Sequence, residues 1–529
     1  MGAFDWKIKI ALFRTGLVPP RILTLVNPVL IVARCPRMSF VTSVDRSGFA
    51  RIGIWLGDSF AEIAETSAIS PVVSSLETRR WFHPKKSVSE TLRELLNGYS
   101  SESSLKEITS GEICIATSRS EMSVARKQGS EPAVLVTSGF ETWARLGPRS
   151  WNATPSLRLE RNWFPSSHDK IFGLDERTEH DGTISKELKT EDLEFLIAKL
   201  ELLKTKEIAI SLLHAAKFPA NEIKAAKFFR ERGFNVTASH EIPNARELHD
   251  NERTRLTVES AFAEAIVHDD AESLRAIVKE LGLESTWSIR FWGPAGLNAT
   301  DLEGARHGSS AAQVRGGTEV ALATAIAHTI PKETELAYFF GVEEFLGFHR
   351  QKDGSLKTEL LPVQPTAQIG NSAWPFPSWS KVDRGYEPGP MLFGKSHQLT
   401  LLDILFVRDH LKGDIEGFSD RVQAKSTARI FEALFTLGKN LAEPGSRAAD
   451  TKDIAEDLET GFMERLSMDL AFNLPDRAKN VYVSGPLATS ILPLLERRRP
   501  DLKFKYDANL SVAVAALSDT ASDAAAKVK

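Results

Sequence analysis

Residues 51–63, RIGIWLGDSFAEI, carry the residue types of a phosphate-binding hairpin whose leading acid is missing. A predicted strand enters through Ile52 and Ile54, turns at Gly57, and leaves through Phe60 and Ile63. Gly57 would let backbone approach a phosphate, and the Ser59 hydroxyl would donate to it. Trp55 stands where such a hairpin needs a carboxylate to hold a metal-bound water. Taken alone, a strand–glycine–strand turn is an ordinary feature of any α/β protein.

Other constellations are weaker. The triplet His268, Asp269, Asp270 has metal-ligand residue types, but no second histidine matches it, and a solvated helix face is expected. His214 ends a buried run, where a ligand-facing ring and a hydrogen-bonded structural histidine are both open. Neither Cys35 nor Cys114 lies in a nucleophile context, and no G-x-S-x-G elbow occurs. Asp383, Arg384 and Glu387 flank a Pro-Gly-Pro turn, facing a cleft or stabilising the turn.

The elements that would position these residues alternate strand and helix. VSETLRELLNG (88–98) reads as an amphipathic helix stopped by Gly98; EICIATS (112–118) and PAVLVTSGF (132–140) read as strands. A βαβ unit follows. Leu193, Leu196, Ile197, Leu200 and Leu203 share one helix face, EIAISLL (207–213) is a buried strand, and a helix from Asn221 ends at Gly233 before the strand NVTASHE. This pattern predicts a parallel sheet with crossover helices, an α/β fold. Residues 251–281 predict one or two helices, and 398–412, 424–440 and 451–471 predict more. SAWPFPSWS, within 370–390, reads as a rigid connection, and its Trp-rich part 374–379 as packing or a contact surface. NVYVSGPLATSILPLL (480–495) reads as a strand, followed by KFKYDANLSVAVAALS (503–518).

At 529 residues the chain exceeds one compact core. A net charge of −4 argues against nucleic acid or a membrane surface as partner. Two cysteines exclude a disulfide framework and suit a reducing, cytoplasmic compartment. The first 44 residues hold six Lys or Arg against the single acid Asp5. They read as a mitochondrial transit-type leader, or as residues upstream of a native start at Met38. The apolar run 22–33 is too short to span a bilayer.

Several segments together resemble the hydantoinase A/5-oxoprolinase family, which includes the related subunit of acetone and acetophenone carboxylases. IAISLLHAAKFPANE (208–222) resembles its strand–Leu-Leu-His–Asn-Pro-x-x-Glu pattern. VTASHEIP (236–243) with NERTRLTV (251–258) resembles its Ser-His-Glu strand and Glu-Arg-Thr helix start. ARKQGSEPAVLVTSGFETWARLG (125–147) and YEPGPMLFGK (386–395) with LTLLD (399–403) supply further landmarks, in order from about residue 50 to 517. The resemblance implies an actin-like fold of two ribonuclease-H-like lobes with ATP and magnesium in the cleft. It implies ATP-dependent hydrolysis of a cyclic amide such as hydantoin or 5-oxoproline, and a hydantoinase B-type subunit or a second copy as partner. It divides the chain into a basic extension (1–44), an N-terminal-type domain (45–245), a hydantoinase A-type domain (246–517) and a tail (518–529).

The departures from the family pattern fall where that chemistry would sit. Asp-x-Gly-Gly-Thr becomes Trp55 to Ser59, with Asp58 for the second glycine, and Glu62 replaces the trailing Asp. The second hairpin, 336–348, has Phe339 for Asp, keeps Gly341, and has Glu343 for Thr. Gly-Thr-Thr-x-x-Thr-Asn becomes ATSRSEM (116–122), Ser-Gly-Pro-Ala-Gly-Gly becomes AQVRGG (312–317), and the adenosine turn shortens to SGPL (484–487). The nucleotide positions that remain are Gly57, Asp58, Ser59, Gly341, Ser484 and Gly485, and Glu62 and Asp403, with Asp58, are the carboxylates left for a cation. An aromatic ring offers no metal ligand, so the alternative to the family hydrolase is an actin-like pseudoenzyme, a structural or regulatory subunit or part of a carboxylase-type complex.

Overall fold

Ile52, Ile54 and Leu56 alternate with Gly53 and Trp55, which gives β1 (Phe49–Leu56) two buried faces. The computed structural model describes residues 49–57, 60–66, 78–81, 87–102, 110–125, 127–142, 163–282, 287–298, 310–341, 345–352, 354–359, 368–369, 372–373, 399, 401–408, 420–441, 450–475, 478–507 and 510–518. The leader with Cys35, the segment 374–379, Asp383, Arg384, Glu387 and residues 519–529 lie outside them.

β1 pairs antiparallel with β2 (Phe60–Thr66), with Trp55 opposite Glu62, and β3 (Thr78–Trp81) continues the meander. α1 (Val88–Glu102) opens on a capping box: the Ser87 hydroxyl accepts from the Glu90 N–H, and the Glu90 carboxylate accepts from the Ser87 N–H. It runs through Gly98, the expected stop. One interior glycine costs only about 1 kcal/mol, and Leu92, Leu95 and Leu96 anchor the helix to the sheet. β4 (Ser110–Thr117) then lies parallel to β1 and leads into α2 (Arg119–Ala125).

An all-parallel unit comes next. β5 (Ala133–Thr137) and β6 (Ile171–Leu174) are followed by the small ladder of β7 (Arg177–Thr178) and β8 (Ile184–Lys186). α3 (Thr190–Leu202) buries Leu193, Leu196 and Leu200, as the periodicity predicts. β9 (Glu207–Ser211), α4 (Ala220–Arg230) and β10 (Asn235–Ala238) complete a sheet of order β10-β9-β5-β6. Gly233, at φ +81°, makes the left-handed turn after α4.

α5 (Asp250–Glu280) is one continuous helix of 31 residues, about 46 Å long at 1.5 Å per residue. Its first half, through Val258 and Ala261, packs on the parallel sheet; its second half, from Ala263 to Val278, packs on the core beneath β1. β11 (Trp287–Gly293) then joins β4 in parallel, and β12 (Gly296–Asn298) closes a six-stranded sheet of order β12-β11-β4-β1-β2-β3.

After the short α6 (Ser310–Val314) and α7 (Gly317–Thr329), the same plan repeats. β13 (Leu336–Phe340), β14 (Phe345–Arg350) and β15 (Leu356–Glu359) form a second antiparallel meander. The two-residue strands β16 (Gln368–Ile369) and β17 (Ser372–Ala373) pair with each other. The helices α8 (Leu401–Val407), α9 (Asp420–Leu441) and α10 (Thr451–Asn473) precede β18 (Asn480–Ser484), which is parallel to β13. The run 480–495 is therefore not one strand. Gly485 turns the chain at φ +95°, and Ile491, Leu492 and Leu495 take helical spacing in α11 (Ala488–Arg498). β19 (Lys503–Asp507) and α12 (Val512–Ala516), capped by Ser511, finish the chain.

Sheet orders β3-β2-β1-β4-β11 and β15-β14-β13-β18-β19 are the same ribonuclease-H-like plan, so the fold is α/β and two-lobed, as in actin-like proteins. The halves are stitched by exchanged helices. α12 packs on β1, β2, β4 and α7, while α7 packs on β4, β11, β12 and β15. The Trp292 indole N–H donates to the Ala516 carbonyl at 2.9 Å. Gly53 permits this approach, because a Cβ there would collide with the Ala513 carbonyl oxygen. Gly53→Ala should therefore destabilise the protein by about 1–3 kcal/mol through overpacking, read as a lower urea midpoint at unchanged slope.

Candidate functional site

The two meanders end alike: Trp55-Leu56-Gly57 in the first half, Phe339-Phe340-Gly341 in the second. Trp55 is 2% exposed and Phe339 1%, and both belong to the core that joins Cys114, Ala116, Trp292 and α12. Ile52, Ile54 and Leu56, on the other face of β1, belong to a different core with α1 and α5. Tyr338 and Phe340 stack at 6.2 Å, and Phe340 meets Phe345, which contacts Phe462 of α10. Strand alternation puts Phe339 on the opposite face from that aromatic ladder. Burial, with Glu112 adding to it, pushes the neighbouring Cys114 thiol up to about 12, so it is no nucleophile at neutral pH.

Gly57 and Gly341 are buried at their strand ends. The Ser484 hydroxyl donates to the Tyr338 carbonyl at 3.0 Å, and a Cβ on Gly485 would strike the Phe340 carbonyl. Glu62 is buried on β2 and Asp403 on α8; Asp58, Ser59 and Glu343 lie outside the described residues. Among the described residues, no three His, Cys, Asp or Glu cluster closely enough to hold a metal. Trp55 and Phe339 thus end their strands among packed apolar side chains.

A second polar centre lies at the carboxyl edge of the parallel sheet, between β5 and β9, where the strand order reverses. The Glu222 carboxylate, 1% exposed, accepts from Leu212 N–H (2.8 Å), the Ser239 hydroxyl (2.8 Å) and His240 N–H (2.7 Å), and pairs with His240 Nδ1 at 2.7 Å. The fully buried Arg253 donates to the Leu212 carbonyl (2.8 Å), Asp250 (2.5 Å) and the Ser239 hydroxyl. Thr137 donates to Glu176, which also accepts from Asn221. His214 sits beside them in left-handed backbone (φ +59°), its Nδ1 3.8 Å from Asp250. The cavity here is about 10 Å³, room for one water at most. Among the described residues the Arg253 Nε has no partner, and His240, on the other side of Glu222, lines a larger cavity of about 300 Å³ with Arg230 and Glu241. The sequence motifs named Glu222, Ser239, His240 and Arg253 only as landmarks; nothing local linked them to Thr137 or Glu176.

The 268–270 triplet is not a solvated face throughout. Asp270 is 6% exposed and pairs with Arg119 of α2, because α2 packs along α5. Farther along α5, burial opposes ionisation of Glu259, yet Arg315 and Arg255 outweigh it and hold the carboxyl below its ordinary 4.5.

Residues 62–233 match the family described as the hydantoinase/oxoprolinase N-terminal region. The match covers about a third of the chain. Two solved structures share its fold. One is an ATP-dependent caprolactamase from Pseudomonas jessenii, 15% identical, with TM-score 0.56 over 89% of this chain and 71% of its own. The other is nucleotide-free acetone carboxylase, from work on ATP-dependent acetone carboxylation; it is 16% identical, with TM-score 0.55 over 84% and 66%. The chain thus spans about two thirds of the acetone carboxylase chain. No curated protein matches at the sequence level. No helix among the described residues is long and apolar enough to cross a membrane.

The Glu222 network joins the matched region, through Glu222 and Leu212, to residues beyond it, Ser239, His240 and Arg253. Arg253→Met should cost about 1–3 kcal/mol by leaving the Leu212 carbonyl without its donor, measured as a drop in unfolding free energy in urea.

Proposed function

We propose that this hydantoinase/oxoprolinase relative is an actin-like subunit that has lost the nucleotide chemistry and acts as a structural or regulatory partner, with a hydantoinase B-type subunit or a second copy as its counterpart. The observation that carries this reading is the paired burial of Trp55 and Phe339 at equivalent strand ends of the two halves. A phosphoryl-transfer site stabilises spread negative charge with metal ions and oriented donors. Two aromatic rings in a dry core supply neither. One replacement would leave a half-site; the same replacement in both halves removes both metal-side carboxylates.

The family activity, ATP-dependent opening of a cyclic amide, is the alternative. Purified protein assayed with ATP, magnesium and a panel of 5-oxoproline, hydantoin and caprolactam should release no phosphate above an enzyme-free control. Substrate-stimulated phosphate release with ring opening would replace this reading with the hydrolase.

A further inference from the structure

Helix α7 starts where three parts of the first half converge. Gly316, its N-cap, is in left-handed backbone at φ +76°. A Cβ on Gly317 would strike the Trp292 carbonyl oxygen, so the glycine seats the helix start against β11. The first turn of a helix carries unpaired N–H groups and partial positive charge, which an anion complements.

That anion comes from the chain itself. The Gly316 N–H donates to the Glu121 carboxylate at 2.6 Å, across 195 residues of sequence. Beside it, Arg315 donates to Glu259 at 2.7 Å, and Glu259 accepts from Arg255 at 2.8 Å. The charge pattern has a second mark. Thr318, the second residue of α7, is 4% exposed, and its hydroxyl has no partner among the described residues. A buried hydroxyl left unpaired is costly, so the α7 start keeps an unsatisfied polar group. Glu121 and Arg315 both lie in segments (116–122 and 312–317) where the chain departs from the hydantoinase-type pattern.

We propose that Glu121 is an intramolecular ligand: its carboxylate takes the place of a small oxyanion at the α7 N-terminus and closes that end of the first sheet to anions. The proposal rests on the nucleotide-free reading of the cleft and adds to it a specific occupant. The carboxylate is tethered, so it acts at high effective concentration and needs no free anion. The Arg315–Glu259–Arg255 chain holds the loop that presents Gly316.

The test is chemical rescue of the full chain. Glu121→Ala should lower the melting temperature by about 2–4 °C, the size of a lost helix cap in a large domain. Sodium formate should recover most of that shift relative to sodium chloride at equal ionic strength, while wild-type protein shows no formate-specific gain. No formate-specific recovery in the variant, or an equal gain in wild type, would overturn the proposal. If Glu121→Ala does not fold, Glu121→Gln keeps an acceptor and loses the charge. Amide exchange at Gly316 should then speed up, because a charged acceptor holds its donor more strongly; unchanged exchange would also overturn it. Magnesium–ATP binding by wild type would overturn the reading of the cleft, whereas the formate result judges Glu121 alone.

Discussion

One buried apolar core contains Trp55, Phe339, Trp292 and α12 and joins the two halves of the molecule. Under the proposed function, low-dielectric packing around these residues takes the place of the water and carboxylates a nucleotide site needs. The same packing joins the halves, since α12 from the end of the chain lies on β1, β2 and β4. Opening the cleft for a triphosphate would therefore remove part of what holds the lobes together. A hinge that must open and close around a ligand is a poor place for a continuous apolar seam; a rigid subunit is a good one.

Rigidity is set up elsewhere by α5. Its N-terminal half carries Arg253 into the edge of the parallel sheet, and its C-terminal half carries Asp270 to Arg119 and Glu264 to the α6 N–H groups of Ser310 and Ala311. Burial raises the Glu264 carboxyl pKa, although those N–H groups act against the shift. A single helix thus ties the inserted sheet to the first lobe through polar contacts along its length. The Glu222 and Arg253 centre belongs to this framework, and the position of His214 beside it follows from the turn after β9.

Much of this was legible in the sequence, and the reasons are physical. Both hairpins were, because alternation and a terminal glycine define a strand turn whatever the side chains do in the cleft. The parallel unit was, because Leu193, Leu196 and Leu200 keep helical period beside the apolar run Ile208 to Ile210. Residues 488–495 were misread because a dense apolar run hides its period, and only the Gly485 turn separates strand from helix. Asp270 was misread because its partner, Arg119, lies 151 residues away. The Glu121 contact with Gly316 had no local signal either. What the sequence carried about the cleft was the loss of its acids at Trp55 and Phe339; what it could not carry was that both rings are packed inside.

Calorimetric titration of the folded chain with ATP and magnesium tests the central claim most directly. The account predicts no detectable heat of binding at millimolar ATP, with or without the metal. Micromolar binding that disappears when magnesium is removed would contradict it, and would mean the aromatic seam opens to admit a nucleotide.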